Sequence, residues 1–323
     1  MADVVDLGSV GVRLPGGRAN DAGAAYEVIC RADDPDWLER RSIGIGASEI
    51  AAAMNEDPWR SEFSLYHRKV GDLLDEQDQA EHQRWGHLLE PVIITEFRER
   101  TGRFVDKGGL LLRSLEYPWA LATLDAWICD HEVGAYWPLD VKNASAFKAE
   151  EWVDGCPEHY RIQLHQQMLV TGRARATIAC LLGGNRLVWA DIERDETLIR
   201  KIVFHGERFW QRVLDRDEPS PDESDSSKKT LSALYPSDNG STIALPGELA
   251  EEAERLVELK DKAKRIAKDI EAIENKVRAE LGAAEKGVLP NGYSFTWKTQ
   301  QRRAFTVQAS TSRVLRMQAP KER

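Results

Sequence analysis

Residues 121–145, LATLDAWICDHEVGAYWPLDVKNAS, constrain the fold of this chain more than any other stretch. Two largely apolar runs flank a polar turn, which predicts two strands joined as a hairpin. Because strand side chains alternate between faces, Asp140 and Lys142 are expected on one face, with Val141 pointing into the core. Asp125 lies in the first of these runs. The sequence thus predicts two carboxylates and a lysine converging on one face of a sheet.

Such a cluster is a candidate site for one or two Mg²⁺ ions, with Mn²⁺ as an alternative. Hydrolysis of a phosphodiester needs an activated water, neutralised phosphate charge and a stabilised leaving oxygen, which a carboxylate-held ion supplies. Asp125, Asp140 and the carbonyl of Val141 would hold it, while Lys142 would orient and deprotonate the water or balance charge. The simpler alternative is that Asp125 ends a strand and that Asp140 and Lys142 form a surface ion pair.

Composition limits the class of protein. A chain of 323 residues with 42% hydrophobic residues builds one large domain or two ordinary ones. No apolar run approaches the roughly 18 residues of a membrane span, and no secretory signal is evident. Four cysteines without C-x-x-C spacing argue against a disulfide framework and for a reducing cytoplasm. The net charge of −10 is compatible with DNA binding only through a local basic surface.

The order of predicted elements indicates an α/β core with a mixed sheet flanked by helices. Apolar spacing and turn signals predict helices over 62–70, 81–100, 157–171 and 195–214, and strands over 103–105, 110–113, 121–129, 175–182 and 186–192. Composition then divides the chain into an N-terminal arm (1–36), a catalytic domain (37–214), an acidic Ser/Pro-rich linker (215–245) and a C-terminal region (246–323).

Two further segments carry candidate site residues. The turn SIGIGAS places Arg41 before a short helix in which Ser48 is the expected N-cap, and a helix N-terminus of this kind favours phosphate. A capped helix after a flexible turn explains the same residues without a ligand. In the helix 81–100, six apolar residues are expected to form one buried face: Trp85, Leu88, Leu89, Val92, Ile93 and Phe97. Glu90 lies beside that face, before a proline that kinks or ends the helix.

The C-terminal region predicts a long helix with an apolar seam in heptad spacing, followed by a hairpin that turns at Pro290-Asn291-Gly292. The seam suits a coiled coil with a sister subunit or a partner protein, and it equally suits packing against its own domain. The last 28 residues carry seven Lys or Arg against one Glu. Such a basic tail is expected either to contact DNA or to be solvated.

Together these motifs resemble the YqaJ group of phage recombination exonucleases, which is related to lambda exonuclease and has a PD-(D/E)xK, restriction-endonuclease-like core. The block RRSIGIGASEIAAAMNEDPWRS resembles the R-x-G-x-x-A-S-E segment of that family, WGHLLEP its G-x-x-x-E-P helix, and HYRIQLHQQ its Y-x-x-Q helix. The resemblance covers about residues 37–212. Two departures are Asp140 in place of the commoner Glu and Leu124 in place of the Pro of the motif name.

The resemblance implies roles for individual residues. It implies an active site of Glu90, Asp125, Asp140 and Lys142, supported by Tyr160 and Gln163, with Glu90 as a further metal ligand. It implies that Arg41 and Ser48, with Arg60 as a second arginine, bind the 5′-phosphate of a DNA end.

The resemblance also implies an activity. The expected enzyme is a Mg²⁺-dependent 5′–3′ exonuclease that resects linear double-stranded DNA to 3′ overhangs for a single-strand annealing protein. It would be a ring of three or four subunits in the bacterial cytoplasm, encoded by a phage or prophage, without membrane contact. The alternatives are a restriction or repair endonuclease with the same core, and a non-catalytic scaffold that binds DNA ends.

Overall fold

The computed structural model describes residues 25–73, 81–132, 134–304, 306, 309 and 312–317. The chain divides into two compact units, one ending at Tyr235 and the other beginning at Pro236. Most of the arm predicted over 1–36, and part of the basic tail, lie outside the described residues. None of the described helices is apolar over enough length to cross a lipid bilayer.

The first unit contains seven α-helices and nine strands among its described residues. The helices are α1 Trp37–Arg41, α2 Ile50–Ala53, α3 Glu62–Lys69, α4 Glu81–Thr101, α5 Glu158–Thr171, α6 Glu196–Asp215 and α7 Asp225–Leu234, with a 3-10 helix at Ala146–Trp152. The strands are β1 Tyr26–Arg31, β2 Ile45–Gly46, β3 Phe104–Lys107, β4 Leu110–Ser114, β5 Ala120–Thr123, β6 Ala126–Asp130, β7 Ala135–Ala144, β8 Arg175–Leu182 and β9 Arg186–Glu193.

The strands form two mixed sheets. The larger has the order β3-β6-β7-β8-β9 and is antiparallel except where β7 and β8 run parallel. The smaller has the order β1-β4-β5-β2, with β2 parallel to β5. A parallel pair needs a long crossover, and the 3-10 helix with α5 provides it between β7 and β8. The predicted α/β core with a mixed sheet and flanking helices is confirmed.

Local sequence explains how the crossover is bounded. Helix α5 starts after Pro157, and it ends at Gly172, whose φ of 67° gives the left-handed C-terminal turn. Strands β8 and β9 then join through Gly183 and Gly184, both at positive φ, as a tight hairpin requires. Helix α6 is capped by Asp195, whose carboxylate accepts the backbone N–H groups of the first turn.

Helices cover both faces of the larger sheet. Alternate residues of β7, including Leu139 and Val141, pack with Ile93 and Phe97 of α4. The opposite face of β8 packs with residues of α5 and with Trp152 of the 3-10 helix. Val141 therefore points into the core, as its position between Asp140 and Lys142 predicts.

The structure corrects several local predictions. The strand predicted over 121–129 is two strands in different sheets, separated at Leu124 and Asp125. In α4, Ile93 and Phe97 are buried and Leu89 is partly buried, but three residues of the predicted buried face are exposed, namely Trp85, Leu88 and Val92. The buried residues of α4 are those that pack on the larger sheet, where residues of β6, β7, β8 and β9 belong to the same cluster.

Part of the predicted linker 215–245 is structured. Helix α7 lies within it, packs on α3, and is capped by Ser224. Ser227 is buried and donates a hydrogen bond to Ser61, the residue that caps α3. The sequence did not predict this helix, because its composition is rich in serine and charge and its buried residues, Ser227 and Thr230, are polar.

The second unit contains helix α8, Leu249–Leu281, and a hairpin of β10, Lys286–Val288, and β11, Ser294–Thr296. Both elements confirm the predicted long helix and hairpin. The hairpin turns at Pro290-Asn291-Gly292 with Gly292 at positive φ. Residues of the predicted heptad seam, such as Ile266, Ile270 and Ile273, are exposed.

Candidate active site

The register of β6 and β7 brings the two predicted aspartates together. Ala126 pairs with Leu139, so Asp125, one residue earlier, lies beside the next residues of β7. Its carboxylate accepts the backbone N–H of Val141 at 2.7 Å. Asp125 is therefore fixed by the strand that carries Asp140 and Lys142, although it lies in the link between the two sheets.

Asp140 is 1% exposed and is held from three directions. The amides of Gln163 and Gln167 on α5 both donate to its Oδ1, at 2.6 and 2.9 Å. The ammonium of Lys142 lies 2.6 Å from its Oδ2. A buried carboxylate needs such partners, because an unpaired charge away from water is costly.

Electrostatics couple the acids of this cluster. Burial raises the pKa of Asp125, and the neighbouring charge of Asp140 raises it further. Burial also raises the pKa of Glu90 on α4, with smaller effects from His87 and from the charges of Asp140 and Lys142. Glu90 thus lies within electrostatic reach of the two aspartates.

Lys142 carries the positive charge of the site. Burial lowers its pKa, but the charges of Asp140 and Asp125 outweigh that effect and raise it above the usual range. The ammonium also lies 5.2 Å from the ring centroid of Tyr160, a cation–π contact. Burial raises the pKa of Tyr160, so its hydroxyl is neutral at physiological pH.

The donor set suits a hard divalent cation. Carboxylate and carbonyl oxygens are the ligands that Mg²⁺ prefers, and a cation would offset the repulsion that raises the pKa of Asp125. No three Asp, Glu, His or Cys side chains are gathered as a metal site within the described residues. A bound ion would therefore also need the carbonyl of Val141 and oxygens from water or substrate.

The residues predicted to bind phosphate form a second cluster. The guanidinium of Arg41 donates to Ser48 Oγ at 2.8 Å, and it lies 3.4 Å from Glu49 Oε1. Arg60 lies 3.9 Å from the same oxygen. The structure thus gathers all three predicted residues, but Ser48 does not cap a helix, since Glu49 occupies the N-cap position of the four-residue α2.

Sequence reasoning missed the centre of this second cluster. Glu49 is 8% exposed, and its Oε2 lies 2.8 Å from Lys69 Nζ and accepts the backbone N–H of Gly46 at 2.7 Å. Three cations therefore surround one carboxylate, which leaves the cluster net positive. The local signal was a Glu directly after Ser48, but only the fold brings Arg60 and Lys69 to it.

Helix α5 connects the two clusters. Gln163 and Gln167 bind Asp140, while the amide of Gln166 donates to the carbonyl oxygens of Ile45 and Leu121, at 2.6 and 2.9 Å. Those two carbonyls belong to the parallel pair β2–β5, and Gly46 of β2 donates its backbone N–H to Glu49 of the second cluster. One buried helix thus positions the acids and the strand that leads to the cations.

Comparison with known proteins gives a family for this arrangement. The model of the YqaJ-like viral recombinase domain matches residues 36–174. The uncharacterized protein YqaJ of Bacillus subtilis (strain 168) is 32% identical over 268 residues, which cover 81% of this chain and 82% of that protein.

Solved structures match parts of the chain at lower identity. The alkaline exonuclease LHK-Exo from Laribacter hongkongensis is 19% identical, with a TM-score of 0.46. The structure of LHK-Exo in complex with dAMP is 20% identical, with a TM-score of 0.47. Each match covers 57% of this chain and 94% of the exonuclease chain. A phage related exonuclease from Haemophilus somnus 129PT is 16% identical, with a TM-score of 0.41, over 54% of this chain and 96% of its own. The assignment rests on the sequence match to YqaJ, and by that match the chain belongs to the family of YqaJ-like viral recombinase domain proteins.

Proposed function

We propose that this protein is a metal-dependent exonuclease that starts at the 5′-phosphate of linear double-stranded DNA and leaves 3′ overhangs. The observation that carries the proposal is the meeting of Asp125, Asp140 and Lys142 at the point where β6 begins beside β7. The net positive cluster around Glu49 lies in the same compact unit. Membership of the YqaJ-like family supports the same activity.

The acids would hold the metal ion. Asp125, Asp140 and the carbonyl of Val141 are the ligands we assign to one or two Mg²⁺ ions, with Mn²⁺ as the alternative. The family resemblance adds Glu90, which the described structure does not gather with the two aspartates as a metal site. When bound, the ion would lower the pKa of a water and neutralise charge on the scissile phosphate. Digestion should therefore stop in EDTA and resume when Mg²⁺ is restored in excess.

The remaining residues would orient and balance charge. Lys142 is protonated in its ion pair with Asp140, so we assign it to stabilise negative charge on the phosphate and to orient the water, rather than to remove a proton. Gln163 would keep Asp140 in one orientation by donating to Oδ1. Tyr160 would limit the movement of the Lys142 ammonium through its ring contact.

The cation cluster would select the end of the DNA. Arg41 and Arg60 offer guanidinium groups suited to a phosphate, and Ser48 offers a hydroxyl beside Arg41. A terminal 5′-phosphate carries more charge than an internal phosphodiester, so a net positive pocket favours the terminus. Cutting would then begin at an end rather than within the duplex.

The deciding experiment compares linear and circular duplex DNA of one sequence, with and without a 5′-phosphate. We expect Mg²⁺-dependent loss of linear DNA, fastest with the 5′-phosphate, and intact circles. Equal cutting of circles would instead identify an endonuclease of the restriction or repair type. The 3′ overhang is read from digests of strands labelled at either end.

Two variants separate catalysis from scaffolding. Lys142→Ala should lower kcat by at least about 100-fold, the order found when one stabilising donor is removed. Lys107→Ala, an exposed lysine on β3, is the matched control and should digest DNA at the wild-type rate. If the wild type digests no DNA and both Lys142→Ala and Asp125→Ala bind DNA ends as it does, the protein is a DNA-end scaffold and the proposal fails. Digestion by both variants at the wild-type rate would instead refute the active site assigned here.

The proposal extends to assembly and location. We assign the protein to the bacterial cytoplasm as a phage or prophage product, in a ring of three or four subunits that hands its 3′ overhang to a single-strand annealing protein. The exposed seam of α8, with Ile266, Ile270 and Ile273, offers an apolar surface for either contact. Light scattering should give a mass three or four times that of the chain, and a mass equal to one chain would contradict the ring.

A further inference from the structure

An aromatic cavity adjoins the candidate active site. Its volume is about 420 Å³, and no role is assigned above to most of its walls. Four rings line it, those of Trp59, Trp152, His159 and Tyr160. Tyr160 also contacts the Lys142 ammonium, so one wall of the cavity is in contact with the candidate catalytic lysine. Aromatic walls next to a phosphodiester site are suited to an unpaired nucleobase, because every base has a π-face that stacks.

Trp59 is the most accessible of these rings. It is 62% exposed, and its ring meets that of His159 edge-on, with centroids 4.6 Å apart and an interplanar angle of 83°. An edge contact leaves the face of one ring free for stacking. The backbone N–H groups of Trp59 and Arg60 both donate to Asp57 Oδ1, which fixes the loop that presents the indole.

His159 provides a second ring and an unused polar atom. Its centroid lies 4.0 Å from that of Tyr160, at an interplanar angle of 54°. Its Nε2 is buried and makes no hydrogen bond within the described part of the chain, so the polar edge of a ligand would satisfy it. Burial lowers the pKa of His159, so the ring is largely neutral at physiological pH and stacks without a charge.

The position of the cavity selects which base it would take. Trp59 precedes Arg60, a member of the phosphate cluster, and Tyr160 contacts Lys142 at the candidate catalytic centre. Under the function proposed above, the terminal nucleotide would lie between a 5′-phosphate in the first site and a scissile phosphate in the second. Its base would then be next to the loop that carries Trp59 and Arg60.

We propose that this cavity binds the unpaired base of the 5′-terminal nucleotide, stacked on Trp59 and His159, and so holds the 2′-deoxynucleoside 5′-monophosphate about to be released. The assignment rests on the exonuclease function proposed above. Because stacking is tolerant of sequence, the cavity accepts all four bases and contributes to binding and alignment rather than to sequence choice.

The test compares two linear duplexes with the same 5′-phosphate, one with an intact terminal nucleotide and one with an abasic tetrahydrofuran residue there. For wild-type protein, kcat/KM for release of the first residue should be at least about tenfold higher on the intact duplex than on the abasic duplex. That is the size of effect expected of one stacked base. Trp59→Ala should lower kcat/KM on the intact duplex to the abasic value and leave the abasic duplex unchanged. Trp59→Phe should keep most of the preference.

The matched control is Phe204→Ala, since Phe204 is also 62% exposed but lies on α6, outside the cavity. It should retain the full preference for the intact terminus. Preference retained in Trp59→Ala, or lost equally in Phe204→Ala, would overturn the proposal. Circular dichroism melts of each variant verify that the fold is intact.

A binding measurement separates this proposal from the exonuclease function. The probe is 2-aminopurine 5′-monophosphate, titrated with protein in Ca²⁺ in place of Mg²⁺. Its fluorescence should be quenched on binding to wild-type protein and to Phe204→Ala, whereas Trp59→Ala should bind it with an affinity at least about tenfold lower. Equal quenching by wild type and Trp59→Ala overturns the cavity assignment even if linear DNA is digested. Absent digestion with Trp59-dependent quenching would instead refute the exonuclease function and keep the nucleotide site.

Discussion

Glu49 gives the sharpest prediction, because it is a buried carboxylate that contacts three cations. Its oxygens lie 2.8 Å from Lys69, 3.4 Å from Arg41 and 3.9 Å from Arg60. The substitution Glu49→Gln keeps the size of the side chain and an oxygen for the N–H of Gly46. What it removes is the negative charge, so any loss of stability reports on the ion pairs.

The size of the loss follows from the pKa of Glu49. Burial alone would raise this pKa, but the charges of Arg41, Lys69 and Arg60 outweigh it and lower the pKa from 4.5 to about 2. At 1.36 kcal/mol per pKa unit, that fall corresponds to about 3 kcal/mol of stability. Glu49→Gln should therefore lower the free energy of unfolding by about 3 kcal/mol at pH 7.

The sign of the pH dependence is fixed by the direction of the pKa change. Because the folded-state pKa lies below the unfolded one, the contribution is complete above pH 4.5 and is lost as pH falls towards 2. The difference between wild type and Glu49→Gln should be about 3 kcal/mol at pH 7 and about half of that at pH 3. Urea unfolding followed by tryptophan fluorescence measures both values.

The control is Glu56→Gln, an exposed glutamate in the turn after α2. Its effect should stay within about 0.5 kcal/mol at both pH values, as for most surface substitutions. A loss in Glu49→Gln that is equal at pH 7 and pH 3 would refute the argument, since packing, not charge, would then be responsible. No loss at pH 7 would show that the three cations do not depend on Glu49.

Two other substitutions test the packing and the active site. Gly206→Ala would place a methyl group 2.2 Å from the ring of Trp119, so it should destabilise the protein by about 1–3 kcal/mol and lower Tm. Gly86→Ala, where nothing lies within 4 Å, should be neutral or slightly stabilising, and equal Tm values for the two variants would contradict the account. Gln163→Leu removes one donor to Asp140 and should lower kcat about 10- to 100-fold, with a smaller effect on KM. A change in KM alone would mean that Gln163 acts on DNA binding instead.

The elements that were predictable are those whose signals are local. Strands β8 and β9 and helix α5 have glycine or proline at their ends and apolar spacing within them, and the structure places them where the sequence does. The relation of Asp140, Val141 and Lys142 followed from strand alternation alone. Local geometry therefore predicted the faces on which these side chains lie.

The elements that were mispredicted depend on distant contacts. Apolar residues of α4 such as Trp85 and Leu88 are exposed because the larger sheet covers only part of the helix. Helix α7 was hidden because it docks through Ser227 and Ser61 instead of through an apolar stripe. Apolar periodicity predicts which residues of a helix can be buried, but which of them are buried depends on the element that packs against the helix.

The same reasoning explains why the site was only partly visible. Asp125 and Asp140 could be paired from sequence because they are joined by one hairpin. Glu49 could not be recognised, since Lys69 and Arg60 reach it only after α2 and α3 have packed. A single charged residue carries no signal of burial until the fold supplies its partners.

Helix α5 shows why this core accepts polar groups at its centre. It is buried from Ile162 to Thr171, yet it carries three glutamines where apolar residues would pack at no polar cost. Each side-chain NH2 group is used, because those of Gln163 and Gln167 donate to Asp140 and that of Gln166 donates to the carbonyls of Ile45 and Leu121. Any rotation or slide of the helix would break all of these bonds together, at about 1–3 kcal/mol for each buried group left unpaired. The glutamines therefore fix the helix in one register, and that register sets the acids of the larger sheet against the strand that leads to the cation cluster.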